Sequence, residues 1–256
     1  MTDTNKEQEE IVVYWSPHAN MNRRHQQVLL DIAPRSLMSD LQKRRAIDPT
    51  TPPASHIRQN THPGNYHMCA ALHTLAKNTF IARAPFSADI MLDEKGTILE
   101  NQMYNGWFSE RVTSLQNAWA VDFDIAYLFF CEEPLEITVT PPYMHKTKQA
   151  EQGFVSAVSF DISSWFRPIV LIYQLYEGIN RITIEEDEPV AYLTFNTEKK
   201  VVFKAFKHTA DIEDQVQACL GYKHIKPFEK MEDLYEQFHK TGMHERVLRE
   251  IKANLI

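Results

Sequence analysis

The stretch from Phe160 to Gly178, FDISSWFRPIVLIYQLYEG, sets two aromatics and an Arg-Pro pair directly against a long apolar run. Proline has no N–H to give to a ladder and is tolerated at the first position of a strand. It also biases the residue before it, here Arg167, to an extended backbone. RPIVLIYQLY (167–176) therefore reads as a strand, and its neighbours follow suit: AYLFFCE (126–132), LEITVTP (135–141), GFVSAVSFDI (153–162), NRITIEE (180–186), PVAYLTFN (189–196) and KVVFKAF (200–206). The connections are short and use polar, Gly or Pro residues. That predicts an antiparallel meander or sandwich instead of βαβ crossovers.

Working outward, TFIARAPF and ADIMLDEKGTILENQMY predict two strands with a hairpin turn at Asp93–Gly96, and MCAALHTLAKN predicts a helix with Met68, Ala71, Leu72 and Leu75 on one face. Residues 47–64 hold four prolines and almost nothing apolar, a loop signal. Short helices are expected at 22–31 and 37–45. IVVYW (11–15) is a short buried-strand candidate stopped by Ser16-Pro17, behind a polar tail at 1–10. After Phe206 the period becomes 3.6. DIEDQVQACLG is expected to be capped by Asp211 and closed by Gly221, FEKMEDLYEQFHKTG carries Phe228, Met231, Leu234, Tyr235 and Phe238 as a stripe, and MHERVLREIKANLI carries Val247, Leu248, Ile251 and Leu255. The expected fold class is α+β, an antiparallel β-sandwich core (78–206) with an irregular N-terminal region (1–77) and a C-terminal helical segment (207–256).

The chain of 256 residues is 43% hydrophobic and 24% charged, which fits a folded globular protein. Only seven glycines leave little material for Gly-rich phosphate cradles. A net charge of −7 disfavours a nonspecific grip on nucleic acid, and Arg23, Arg24, Lys43, Arg44 and Arg45 form the nearest basic cluster. Cys69, Cys131 and Cys219 show no CxxC spacing and read as reduced core thiols. The start MTDTNKEQEE is unlike a signal peptide, and no run approaches the roughly 18 apolar residues of a membrane span. No membrane association is expected.

Cys69, Lys77–Phe80 and Pro85-Phe86, followed by Trp165–Pro168 and the acidic turn and strand Glu185–Tyr192, make a pattern across residues 65–206. In it the chain resembles an uncharacterised group of proteins of tailed bacteriophages, in particular T4-like phages of marine bacteria. The resemblance implies a phage origin, hence the host cytoplasm or the virion as location. It brings no activity with it.

Several constellations point weakly to chemistry. His56, His62, His67 and His73 with Cys69 offer imidazole and thiolate for Zn or Fe, and His62, His67, Cys69 and His73 are the metal candidates. No HxH, HExxH or CxxC occurs, so surface and helix histidines are the alternative. The turn EEDE (185–188) lacks the spacing and glycine of an EF-hand loop. Asp122, Asp124, Glu132 and Glu133 lack a nuclease pattern. Asp161 sits where trimeric dUTPase-type hydrolases carry an aspartate, without their glycines, and no GxSxG is present.

Trp165, Phe166 and Arg167 remain, with Tyr235 and Phe238 of the helical stripe, as binding candidates. An extended arginine beside aromatics can lie on a ring and donate to a carboxylate as a structural clamp, or it can take an anionic ligand. The C-terminal stripes can bury against each other and the sheet, or serve a partner. The sequence thus leads to a non-enzymatic phage protein acting through protein–protein surfaces, as virion component or host-directed factor, with a protein partner or self-association and no cofactor. The alternative is a cytosolic, cupin-like metal enzyme on the same sandwich.

Overall fold

The computed structural model describes residues 9–17, 35–36, 70–99, 107–111, 119–226 and 228–256. The strands are β1 (Glu10–Pro17), β2 (Arg35–Ser36), β3 (Thr79–Arg83), β4 (Ala88–Met91), β5 (Phe108–Arg111), β6 (Ala120–Cys131), β7 (Glu136–Thr140), β8 (Gly153–Val155), β9 (Val158–Asp161), β10 (Pro168–Leu175), β11 (Arg181–Ile184), β12 (Pro189–Phe195) and β13 (Lys200–Ala205). The helices are α1 (Ala70–Ala76), α2 (Ala210–Ile225), α3 (Met231–Lys240) and α4 (Met243–Ala253). The architecture is mixed α+β and mostly β. A six-stranded sheet runs β13-β1-β6-β10-β8 with β5 also on β6, a five-stranded sheet runs β2-β3-β12-β7-β9, and β11 pairs β4 separately. Among the described residues no helix is long and apolar enough to cross a membrane.

The central strand β6 explains the layering. Its residues Val121, Phe123, Ile125, Tyr127, Phe129 and Cys131 alternate onto one face, where they share a core with Ile137, Val139, Ile182, Val190 and Leu193 of the other two sheets. Leu128 and Phe130 face the opposite way into a second core with Tyr14, Trp165, Phe166 and Phe206, closed by Ile212, Val216, Leu234, Phe238, Val247 and Ile251 of the helices. The far half of β6 reads as continuous apolar sequence because both faces are covered. Its near half alternates, and the half-buried Asp122 and Asp124 mark where the second face lacks an apolar cover.

Four expectations need correction. Strand β1 lies between β13 and β6, and its pairing with β13 is parallel, so the sheet is not wholly antiparallel and the N-terminal region contributes a central strand. GFVSAVSFDI is two strands, β8 on β10 and β9 on β7, because the chain changes sheet at Ser156-Ala157. Helix α2 is capped by Thr209, whose side chain accepts from Ile212 N, and it runs through Gly221 to Ile225. Phe228 is 98% exposed between α2 and α3, outside the stripe. The DEKG turn forms as expected. Asp93 Oδ1 accepts from Lys95 N and Thr97 N, and Gly96 has φ +79° with the Trp119 ring where a Cβ would stand. The expected helices at 22–31 and 37–45 and the loop at 47–64 lie outside the described residues.

Candidate functional site

The segment Asp161–Pro168 joins the two cores. Asp161 Oδ1 accepts from Ser163 N and Ser163 Oγ, both at 2.7 Å, and Oδ2 accepts from Ser164 Oγ at 2.8 Å. Tyr235 Oη accepts from Asp161 N at 3.1 Å, and His239 Nε2 stands 3.0 Å from Ser164 Oγ, so both side chains tie α3 to this turn. The polarity of this network decides its chemistry. Ser164 has one proton and gives it to the carboxylate, so His239 must donate to the serine oxygen. A nucleophilic serine needs a base that takes its proton. The arrangement is a turn and a helix anchor.

Beyond the turn, Trp165 and Phe166 are buried in the second core, where Phe130 and Phe166 meet edge to face at 5.7 Å. Arg167 lies over the Phe160 ring at 5.7 Å and not on the neighbouring Trp165 or Phe166, so the clamp takes a ring other than the two expected. The carboxylate half is missing: among the described residues Arg167 makes no ion pair, and its buried Nε has no acceptor. Burial holds its guanidinium below the ordinary arginine range, only partly offset by the Tyr235 phenol. Phe238 is 4% exposed and packs toward Phe130, so the stripe offered to a partner is turned inward, and Tyr235 is half-buried.

Of the metal candidates, His73 is exposed on α1, while His62, His67 and Cys69 lie outside the described residues, as do His56 and the five clustered basic residues. Among the described residues no three His, Cys, Asp or Glu side chains gather as a metal site. The acidic turn is occupied with its own geometry: Glu188 accepts from Lys148 N and Glu185 N, Lys148 pairs with Glu185, and Arg83 pairs with Asp187 at 3.6 Å. Asp122 is held bidentately by Arg111, while Lys252 and Lys199 each make a single contact, to Glu132 and Glu133.

The feature that sequence reasoning missed is a cleft of about 240 Å³ between the Pro141–Ala150 loop, β8 and the end of β10. Tyr143 (51% exposed), Phe154 (41%) and Tyr176 (46%) stand around it. Phe154 is opposite Gln174, so Tyr176 is its diagonal neighbour on the same face, and the rings lie 5.9 Å apart. The floor is fixed by buried polar bonds. Gln149 Nε2 donates to Pro189 O at 2.7 Å, Tyr173 Oη donates to Gln149 O, and Met144 N donates to Tyr192 Oη at 3.1 Å. Tyr143 leans edge-on against Tyr192 at 4.9 Å, and partial burial pushes its phenol pKa up. Among the described residues no Asp, Glu, Lys or Arg side chain lines the cleft, and His145 brings an imidazole to it. Comparison with protein-family models, curated proteins and solved structures finds no match to this chain.

Proposed function

We propose that this is a phage-encoded, non-enzymatic protein that works through a protein–protein surface, as a virion component or a host-directed factor, and that the aromatic cleft is the contact. The observation that carries the reading is the ring of half-exposed aromatics over a floor fixed by buried hydrogen bonds. Tyrosine and phenylalanine are enriched at interface cores because they bury large area with little side-chain entropy to lose. A lining without Asp, Glu, Lys or Arg among the described residues suits a partner segment of low charge, with Tyr143 and Tyr176 hydroxyls available for its carbonyls. The same reading takes the fold as a β-sandwich, with the six-stranded sheet as one layer and the two smaller sheets as the other.

The test is Phe154→Ser with Tyr176→Ser, carried by a tagged chain expressed during infection. Both side chains face solvent, so the thermal midpoint should hold. Loss of a specific co-purifying phage or host protein, or of the chain's own oligomer, is expected. A double variant that keeps every partner and oligomer of the native chain would move the interface elsewhere.

A further inference from the structure

Among the arginines whose side chains are described, Arg111, Arg181, Arg246 and Arg249 are exposed, Arg83 is buried and Arg167 is half-buried. Arg83 has Asp187 at 3.6 Å. Arg167 has no carboxylate among the described residues, and the titratable groups felt at it are the Tyr235 phenol and the Arg111 guanidinium. Arg111 is already engaged by Asp122, and Asp161, the nearest acid in sequence, spends its carboxylate on Ser163 and Ser164. In a chain with 34 acidic and 27 basic residues a counter-ion is not scarce. A cation held partly out of water without one costs stability, and folds tolerate such a cost at functional sites. The guanidinium is divided. Its Nε is sealed and has no acceptor, whereas its two terminal nitrogens also make no hydrogen bond among the described residues but keep accessible surface. It lies over Phe160 of β9, the outer strand of the five-stranded sheet, where the neighbouring Ser159 is exposed.

We propose that Arg167 is the receptor for a carboxylate brought by another molecule, bound end-on across its two terminal nitrogens at the edge of β9. Charge and geometry give the class. One unpaired cation matches a monoanion, while a phosphate dianion would bring a second charge when the other cation felt there, Arg111, is already engaged. With Nε sealed, the side-on fork of Nε and one terminal nitrogen is closed. The end-on fork stays open, and it matches the paired oxygens of a planar carboxylate. A free organic acid and an Asp or Glu side chain of a peptide present the same group. The aromatic cleft plays no part in this, since Arg167 is not in its lining.

The probes are benzoate with its neutral analogue benzamide, a capped Ala-Glu-Ala peptide with its neutral analogue Ala-Gln-Ala, and inorganic phosphate. Each is titrated into the full chain and followed through the arginine Nε–H signals of ¹H–¹⁵N spectra. At least one carboxylate probe is expected to shift the Arg167 signal, identified by its absence from Arg167→Met, and to bind at least about tenfold more tightly than its neutral analogue. The tighter of the two carboxylates tells a free acid from a peptide side chain. Arg167→Met should lower that probe to the affinity of its neutral analogue. Should the variant fail to fold, the paired probes decide on the native chain alone. Equal affinities within both pairs, an unmoved set of Nε–H signals, undiminished binding to folded Arg167→Met, or phosphate binding more tightly than either carboxylate would each overturn the proposal. So would no binding of any probe, which would leave Arg167 as a charge that keeps the β9 edge from pairing.

Discussion

Arg167 lies over the Phe160 ring, and among the described residues no carboxylate pairs with it. The sequence offered the adjacent Trp165 and Phe166 as its ring partners, but both turn into the second core and the ring comes from Phe160 across the turn, since local sequence does not record which side of the turn an arginine takes or which distant element passes by. Removing one member of a buried ion pair costs about 3–5 kcal/mol, while replacing a desolvated, unpaired charge by an apolar chain of similar shape is neutral or stabilising. Arg167→Met keeps the stem over Phe160, so it should leave the urea midpoint unchanged or raise stability by about 1 kcal/mol. A loss of 3 kcal/mol on the same melt would mean that a carboxylate does reach it. The cysteines give a second residue-scale expectation. Burial pushes the Cys131 and Cys219 thiols up to about 11, so almost no thiolate is present at pH 8. Both should react with a thiol reagent only as the chain unfolds; rapid modification of either in the native protein would contradict their placement.

Elements were legible where period and coverage agree. Strands β10, β12 and β13 fall within one or two residues of their sequence ranges, β10 because its alternation matches one buried face and β12 because its apolar run is buried on both. At 153–162 the alternation continues across a change of sheet, and a period of two does not record which ladder a residue joins. The start of α2 was misplaced for a related reason, since Asp211 and Thr209 are both good caps and only the turn out of β13 chooses between them. Thr209 holds the extended backbone of a cap, and Thr209→Ala should cost about 1 kcal/mol in a denaturant melt. His208 beside it is nearly buried and bonded to Glu213 at 2.8 Å. Burial lowers its pKa below 6.5 more than Glu213 raises it, so the folded chain favours neutral imidazole. The unfolded chain then binds the extra proton, and the contribution is full above about pH 6.5 and lost as pH falls below it. Midpoints from pH 7.5 to 5.0 should drop more steeply in the native protein than in His208→Asn, and parallel slopes would remove His208 from this role.

At the scale of the whole molecule the sequence showed two helical stripes and a β region, but it did not show that they share strands. Apolar stripes state that a helix buries something and are silent about what, so docking on the sheet and service to a partner looked alike. The aromatic cleft was hidden for the same reason, as its rings come from a loop, an edge strand and a strand end that only the fold brings together. The shared strands carry a consequence for the C-terminal helices. Tyr14 of β1 and Leu128 and Phe130 of β6 turn one face to the helices while their neighbours fill the other core, so the same two strands are central to both. The last residues are tied back as well, with Ile256 N donating to Ala205 O and Lys207 N to Asn254 O. Deleting residues 226–256 would strip Leu234, Phe238, Val247 and Ile251 from that face and lay bare Phe130, Phe166 and Phe206, each nearly solvent-free in the intact fold. A contiguous aromatic patch on a central sheet is an aggregation surface. The truncated chain should therefore be insoluble or lack a cooperative melt, and within the full chain Phe130→Ala should cost about 3–5 kcal/mol. A soluble truncation with a native-like midpoint would show instead that the helices are an appendage and that the sheet stands without them.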